Sequence, residues 1–100
     1  AHMAYHLTYN GPLLARAREL QDQADGRCIG AEFRASVAWL TDAIAANPMS
    51  FELLFHLSTG DPVLIASRAP VTMTFAVYFV PQEVWVTRIT LMGDREHDPA

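Results

Sequence analysis

The side chains best suited to chemistry in this chain are its arginines. There are seven, Arg16, Arg18, Arg27, Arg34, Arg68, Arg88 and Arg95, and no lysine. A guanidinium keeps its charge and meets a phosphate or carboxylate with a planar fork of donors. These residues therefore permit a nucleic-acid site. The net charge of −4 and the scatter of the arginines along the chain argue against tight non-specific binding to a polyanion, which needs clustered cations. Tyr78 adds a ring that could stack on a base, although a tyrosine on a half-buried sheet usually packs. Arg68 and Arg88 fall in predicted strands, where an arginine more commonly pairs with a carboxylate than takes part in a reaction.

The remaining reactive types offer less. His56 sits in an apolar segment and reads as a hydrogen-bonded packing residue. His6 has nothing reactive beside it in sequence, and His97 lies with Arg95 close to the chain's end, where order is least expected. No spacing of His, Cys or carboxylates suggests a metal site. Gly26 and Gly30 lack the surroundings of a phosphate loop. Cys28 has no visible activating partner and, as the sole cysteine, cannot form an intrachain disulfide. The expectation is no cofactor and no metal.

The elements that must position these residues follow from periodicity. Residues 4–93 read as one domain, with Ala1-His2-Met3 as a cloning remnant and residues 94–100 as a polar tail. Tyr5 to Tyr9 alternates like a short strand. Asn10-Gly11-Pro12 breaks it and opens a helix. Leu13, Ala17, Leu20 and Ala24 recur at helical spacing on its apolar side. A connector carrying Gly26 and Gly30 leads to a second helix over about 31–46. Its stripe is Phe33, Val37, Leu40 and Ile44, widened by Trp39 and Ala43. Asn47-Pro48 stops it.

Residues 49–61 fit either a helical turn or a strand. Residues 63–67 read as a strand, and 71–92 as a β-hairpin interrupted at Pro81-Gln82-Glu83. The predicted class is α+β, ordered strand–helix–helix–strand–strand–strand. The sheet should be mostly antiparallel, with the helical hairpin packed on one face.

Register decides which side chains of the hairpin meet the helices, because a one-residue slip exchanges the faces. A three-residue turn would pair Val80 with Val84 and set Arg88 opposite Ala76. Met73, Phe75, Val77 and Phe79 would then face the helices with Trp85, Thr87, Ile89 and Leu91. Thr72, Thr74, Tyr78, Arg88 and Thr90 would lie on the open face. Trp39, Trp85 and Met73 are core candidates on this reading.

This element order resembles the RelE/ParE superfamily of type II toxin–antitoxin toxins. The stretch Ser67-Arg68-Ala69-Pro70-Val71-Thr72, continuing to Phe75-Ala76-Val77-Tyr78, is similar to a family phrase that sets an arginine just before a central strand. VWVTRITLM with Gly93-Asp94-Arg95-Glu96-His97 resembles the family's last strand and its short ending. The resemblance runs from Tyr5 nearly to the end of the chain.

It implies either a protein-binding toxin of the ParE kind, held by an antitoxin, or a metal-independent messenger-RNA endoribonuclease of the RelE kind. The nuclease needs a base for the ribose 2′-hydroxyl, an acid for the leaving oxygen and cations for the charged intermediate. The resemblance offers Arg68, Arg88, Tyr78 and His97 for those roles, with RNA or the ribosome as partner. The missing lysines and the acidic balance fit the binding reading, or an inactive relative, better. A homodimeric interaction domain of unrelated role is the third expectation. No apolar run approaches the ~20 residues of a membrane helix, and the expected location is the cytoplasm.

Overall fold

A computed structural model describes residues 4–93. The chain runs β1 (His6–Tyr9), α1 (Gly11–Gly26), α2 (Gly30–Ala46), a 3-10 turn at Pro48–Ser50, β2 (Glu52–His56), β3 (Pro62–Arg68), β4 (Val71–Tyr78) and β5 (Glu83–Leu91). The strands form one sheet in the order β1-β5-β4-β3-β2. All neighbours are antiparallel except β1 and β5, which are parallel. The expected class is therefore found, with one strand more. The segment left open between helix and strand is β2, paired to β3.

The two helices form because each carries a single apolar stripe between clear stops. At the start of α1 the Asn10 side chain accepts a 2.8 Å hydrogen bond from the Leu13 amide, and Pro12 occupies a first-turn position where its missing N–H costs nothing. Leu13, Leu20 and Ala24 of α1 are buried with Phe33, Leu40 and Ile44 of α2. The stripes expected from spacing are thus the ones that pack, except that Trp39 is 44 % exposed and stays out of the core.

The helices cover one face of the sheet. Leu64 and Ala66 of β3 meet them there, with Val71, Met73, Phe75 and Val77 of β4 and Val84, Val86, Ile89 and Leu91 of β5. Phe75 is fully buried, and the Phe51 ring meets it edge-on with centroids 6.0 Å apart. Each such side chain stabilises the fold by about 1.5–3 kcal/mol relative to exposure.

The hairpin departs from its expected register. Tyr78 pairs with Glu83 and Val77 with Val84, so the loop has four residues, and Val80 is 94 % exposed rather than paired with Val84. Further along, Arg88 pairs with Thr74, not Ala76. Phe79, Trp85 and Thr87 do not face the helices, whereas Val84 and Val86 do. The cause is a β-bulge. Phe75 pairs with Val86 and Thr74 with Arg88, which leaves Thr87 as an extra residue. One unbroken register cannot bury both Val84 with Val86 and Ile89 with Leu91. The bulge changes parity between the two pairs and buries all four.

Two local features hold the edges together. The Arg27 guanidinium, just past α1, donates to the Met92 carbonyl at 2.8 Å and fixes where the chain leaves β5. Gly93 follows at φ 82, a conformation that suits glycine, and a Cβ there would lie 3.1 Å from that guanidinium. Cys28, in the helical connection, has φ 62 although it carries a side chain. That left-handed conformation costs a non-glycine residue about 1 kcal/mol. Cys28→Gly is therefore expected to raise unfolding stability by roughly 0.5–1 kcal/mol in chemical denaturation.

Tyr9 packs against the core, and its hydroxyl donates to the Met73 sulfur at 3.7 Å. Burial pushes its ionisation above the ordinary value of 10.0, outweighing an opposing hydrogen bond with Thr41. Below pH 10 the phenol is protonated in both folded and unfolded chains. Above it the unfolded phenol loses its proton first, so the unfolded state binds fewer protons and stability falls as pH rises. The fall ends once Tyr9 ionises in the folded protein. In alkaline denaturation series, Tyr9→Phe is expected to flatten this part of the slope.

Candidate functional site

With the helices on one face, the other face of the sheet carries the candidate site. Its side chains line up in rows across the strands. One row is apolar: Trp85 of β5, Ala76 of β4, Val63 of β3 and Phe55 of β2, with Thr8 of β1 beside Trp85. Ala76 and Val63 are buried, whereas Trp85 and Phe55 are 37 % and 53 % exposed. A parallel row runs from Arg88 through Thr74 and Ile65 to Glu52. Thr90, Thr72 and Ser67 make the next, with the Ser67 and Thr72 hydroxyls 2.9 Å apart.

Between these last two rows the sheet is concave. A pocket of about 460 Å³ is lined by Leu54, Ile65, Thr72, Thr74, Arg88 and Thr90, closed at one end by Leu91 and Gly93. Its volume lies within the range of small-ligand sites. One wall is aliphatic, the floor carries three threonine hydroxyls, and the far wall carries a guanidinium. Among the described residues no carboxylate lines it.

Two bulges aim the side chains that build this pocket. Were Thr87 paired in an unbroken ladder, the alternation that buries Val84 and Val86 would turn Arg88 and Thr90 towards the helices. In β2, Leu53 pairs with Leu64 and Phe55 with Val63, so Leu54 is the extra residue. It reaches the pocket as a result. The same bulge interrupts the free edge of β2, one of the devices that discourage edge-to-edge pairing.

Of the four residues expected to share a reaction, the three that are described, Arg68, Arg88 and Tyr78, are not brought together. Arg88 lines the pocket. Arg68 belongs to the helix-facing side of β3, opposite Val71, and its guanidinium stacks 4.4 Å from the centre of the Trp39 ring. The two arginines therefore lie on opposite faces of the sheet. Tyr78 shares the outer face with Arg88 but sits at the far end of β4, four residues beyond Thr74. At about 3.3 Å per residue that is roughly 13 Å away. His97 lies outside the described residues. The fold sets Tyr78 instead in a row with Glu83 and His6, and the His6 Nδ1 is 3.3 Å from the Thr8 hydroxyl. Among the described residues, no group of three or more His, Cys, Asp or Glu is placed to hold a metal ion.

The open threonines and Arg88 follow from alternation in sequence. Leu54, Ile65 and the Trp85–Phe55 row do not, because their placement depends on the bulges and on β2 being a strand. No helix among the described residues is long and apolar enough to cross a membrane. Comparison with protein families, curated proteins and solved structures finds no match.

The bulge carries a direct test. Deleting Thr87 should join Val86 directly to Arg88 and make the β4–β5 ladder regular, with Val84, Val86, Ile89 and Leu91 still inward. No buried side chain then changes face, so the stability change in urea denaturation should be about 1 kcal/mol or less. Thr87→Ala keeps the residue count and removes one exposed hydroxyl bond, to the Thr74 carbonyl at 3.1 Å. Its loss should be about 1 kcal/mol or less.

Proposed function

We propose that the chain works by binding another protein through the outer sheet face and β2, as a toxin-like member of a toxin–antitoxin pair. The observation that carries this reading is the apolar row Trp85–Ala76–Val63–Phe55, which runs on into β2. Leu53, Leu54 and Phe55 of that strand are each 44 % or more exposed. Contiguous apolar surface of this kind marks interaction sites. Aromatic side chains at the middle of such a patch are the usual energetic anchors. The strand–helix–helix–strand order supports the toxin-like class, as does the likeness of the stretch from Ser67 to Tyr78.

Binding is favoured over RNA cleavage by the separation of the arginines. The nuclease alternative needs Arg68 and Arg88 to stabilise one charged intermediate, and Arg68 stacks on Trp39 on the opposite face. The acidic chain also gives no electrostatic pull towards a ribosome. The partner this reading calls for is an antitoxin, a small protein encoded beside the toxin.

The test is co-purification of that neighbouring product with the wild-type chain and with Phe55→Asp and Trp85→Asp. Both side chains are substantially exposed, so the variants should keep their fold. Each is expected to weaken the complex about tenfold to a hundredfold, the range of anchor losses of roughly 1.5–3 kcal/mol. A neighbouring product that does not bind would defeat the reading. So would equal binding by all three proteins. Self-association of the chain, seen by sedimentation and lost in the same variants, would assign the face to a homodimer.

A further inference from the structure

We propose that the outer face receives an amphipathic α-helix of the partner, laid obliquely across the apolar row, with one of its cations at Glu83 and another at Glu52. This rests on the reading of that face as a protein-binding surface and names the element it takes. Along the row Trp85–Ala76–Val63–Phe55 the side chains run large, small, small, large. Trp85 and Phe55 stand exposed, whereas Ala76 and Val63 are buried. The row therefore has a low middle between two aromatic flanks.

Two carboxylates set the direction across that middle. Glu83 on β5 pairs with Tyr78, two residues past Ala76. Glu52 on β2 pairs with Ile65, two residues past Val63. Ile65 is opposite Thr74, so the carboxylates lie on opposite sides of the row. Three strand spacings of about 4.8 Å and four residues of about 3.3 Å put them roughly 20 Å apart. The line joining them crosses the row between Ala76 and Val63, with Trp85 and Phe55 on either side. Among the described residues neither carboxylate takes part in an ion pair. Arg88, in the row of Glu52 but on β5, lies to one side of that line.

A helix suits this line better than an extended segment. The backbone groups beneath are paired in the β3–β4 and β4–β5 ladders, so a strand laid there would find no main-chain partners. A helix satisfies its own. Residues about 11 apart share one helix face and are about 16 Å from each other, and lysine side chains reach over the remainder. The chain's net charge of −4 draws a cationic element towards it.

The test uses the chain alone. A fluorescent synthetic helix of about 18 residues carries an apolar face of leucine and alanine with two lysines about 11 residues apart. A second peptide has glutamates in place of the lysines. Wild type is expected to bind the lysine peptide about tenfold or more tightly than the glutamate one. The double variant Glu52→Lys with Glu83→Lys should invert that preference, and Glu52→Lys alone should shrink it. Trp85→Asp and Phe55→Asp should each weaken both peptides about tenfold. Neither glutamate is buried, and circular dichroism confirms the fold of each variant. Equal binding of the two peptides, or a preference that the double variant leaves unchanged, overturns this inference. The protein-binding reading survives that result if the two aspartate variants still weaken both peptides, and falls with it if they do not. Binding of neither peptide overturns the helix alone, since co-purification judges the face separately. A dimer of the chain that Trp85→Asp dissolves would give the face to a second copy and overturn it as well.

Discussion

The structure depends on a conflict within β5 that one residue resolves. Val84, Val86, Ile89 and Leu91 are all needed against the helices, yet they do not share a parity. An unbroken strand would bury two of them and expose the other two. It would also drive Arg88 or Thr87 into the helix interface. The bulge at Thr87 removes the conflict, because an extra residue exchanges inward and outward positions from that point on. The core and the polar outer face then come from the same local distortion. Burying four aliphatic side chains offsets the ladder bond lost at the bulge several times over.

From that constraint the two faces acquire different characters. The inner face is closed by α1 and α2 and holds the fully buried Leu20, Leu40, Ile44 and Phe75. Its buried polar residue among those described, Ser36, is satisfied by the Ala69 carbonyl at 2.7 Å. Among the described residues no helix or second sheet covers the outer face. Central strands normally bury both faces or turn a polar one to water. Here the outer face is divided. Its threonine and arginine rows suit water or a polar ligand, whereas the Trp85–Phe55 row suits neither. A face split in this way is better explained by binding than by solvation.

Much of the architecture was legible from spacing alone. The helix stripes at Leu13, Leu20 and Ala24 and at Phe33, Leu40 and Ile44 are the packed ones, since helical periodicity is set by the helix itself. Strand faces were legible only in part. The assignment of Arg88 with Thr72, Thr74 and Thr90 to the open face agrees with the structure, but by a different route. The expected turn was three residues and the observed loop is four, and the bulge restores the parity at Arg88. Between the loop and the bulge nothing restores it, so Trp85 was placed on the wrong face. Register errors of this kind arise because turn length and bulges depend on tertiary burial, which local residue types do not encode. Strand β2 escaped for a related reason. Its residues are exposed throughout, so no alternation of burial marks them.

The placement of the cations constrains the chemistry further. Arginines collected in one place could make a catalytic or polyanion site, but the fold disperses Arg27, Arg34, Arg68 and Arg88. Arg68 is held against Trp39, Arg27 against the Met92 carbonyl and Arg34 beside Asp25 at 3.5 Å. Each has a structural contact on a different part of the surface. Arg88 is the arginine set among hydroxyls in a concave surface. One guanidinium can orient an anion or anchor a partner's carboxylate. Stabilising a phosphorane while also protonating a leaving group requires further groups within a few ångströms. Of the described acid–base side chains on this face, His6, Glu83 and Tyr78 stand at its other end, and Glu52 lies in Arg88's row but three strands away. Among the described residues the geometry therefore separates Arg88 from Arg68, Tyr78, His6 and Glu83.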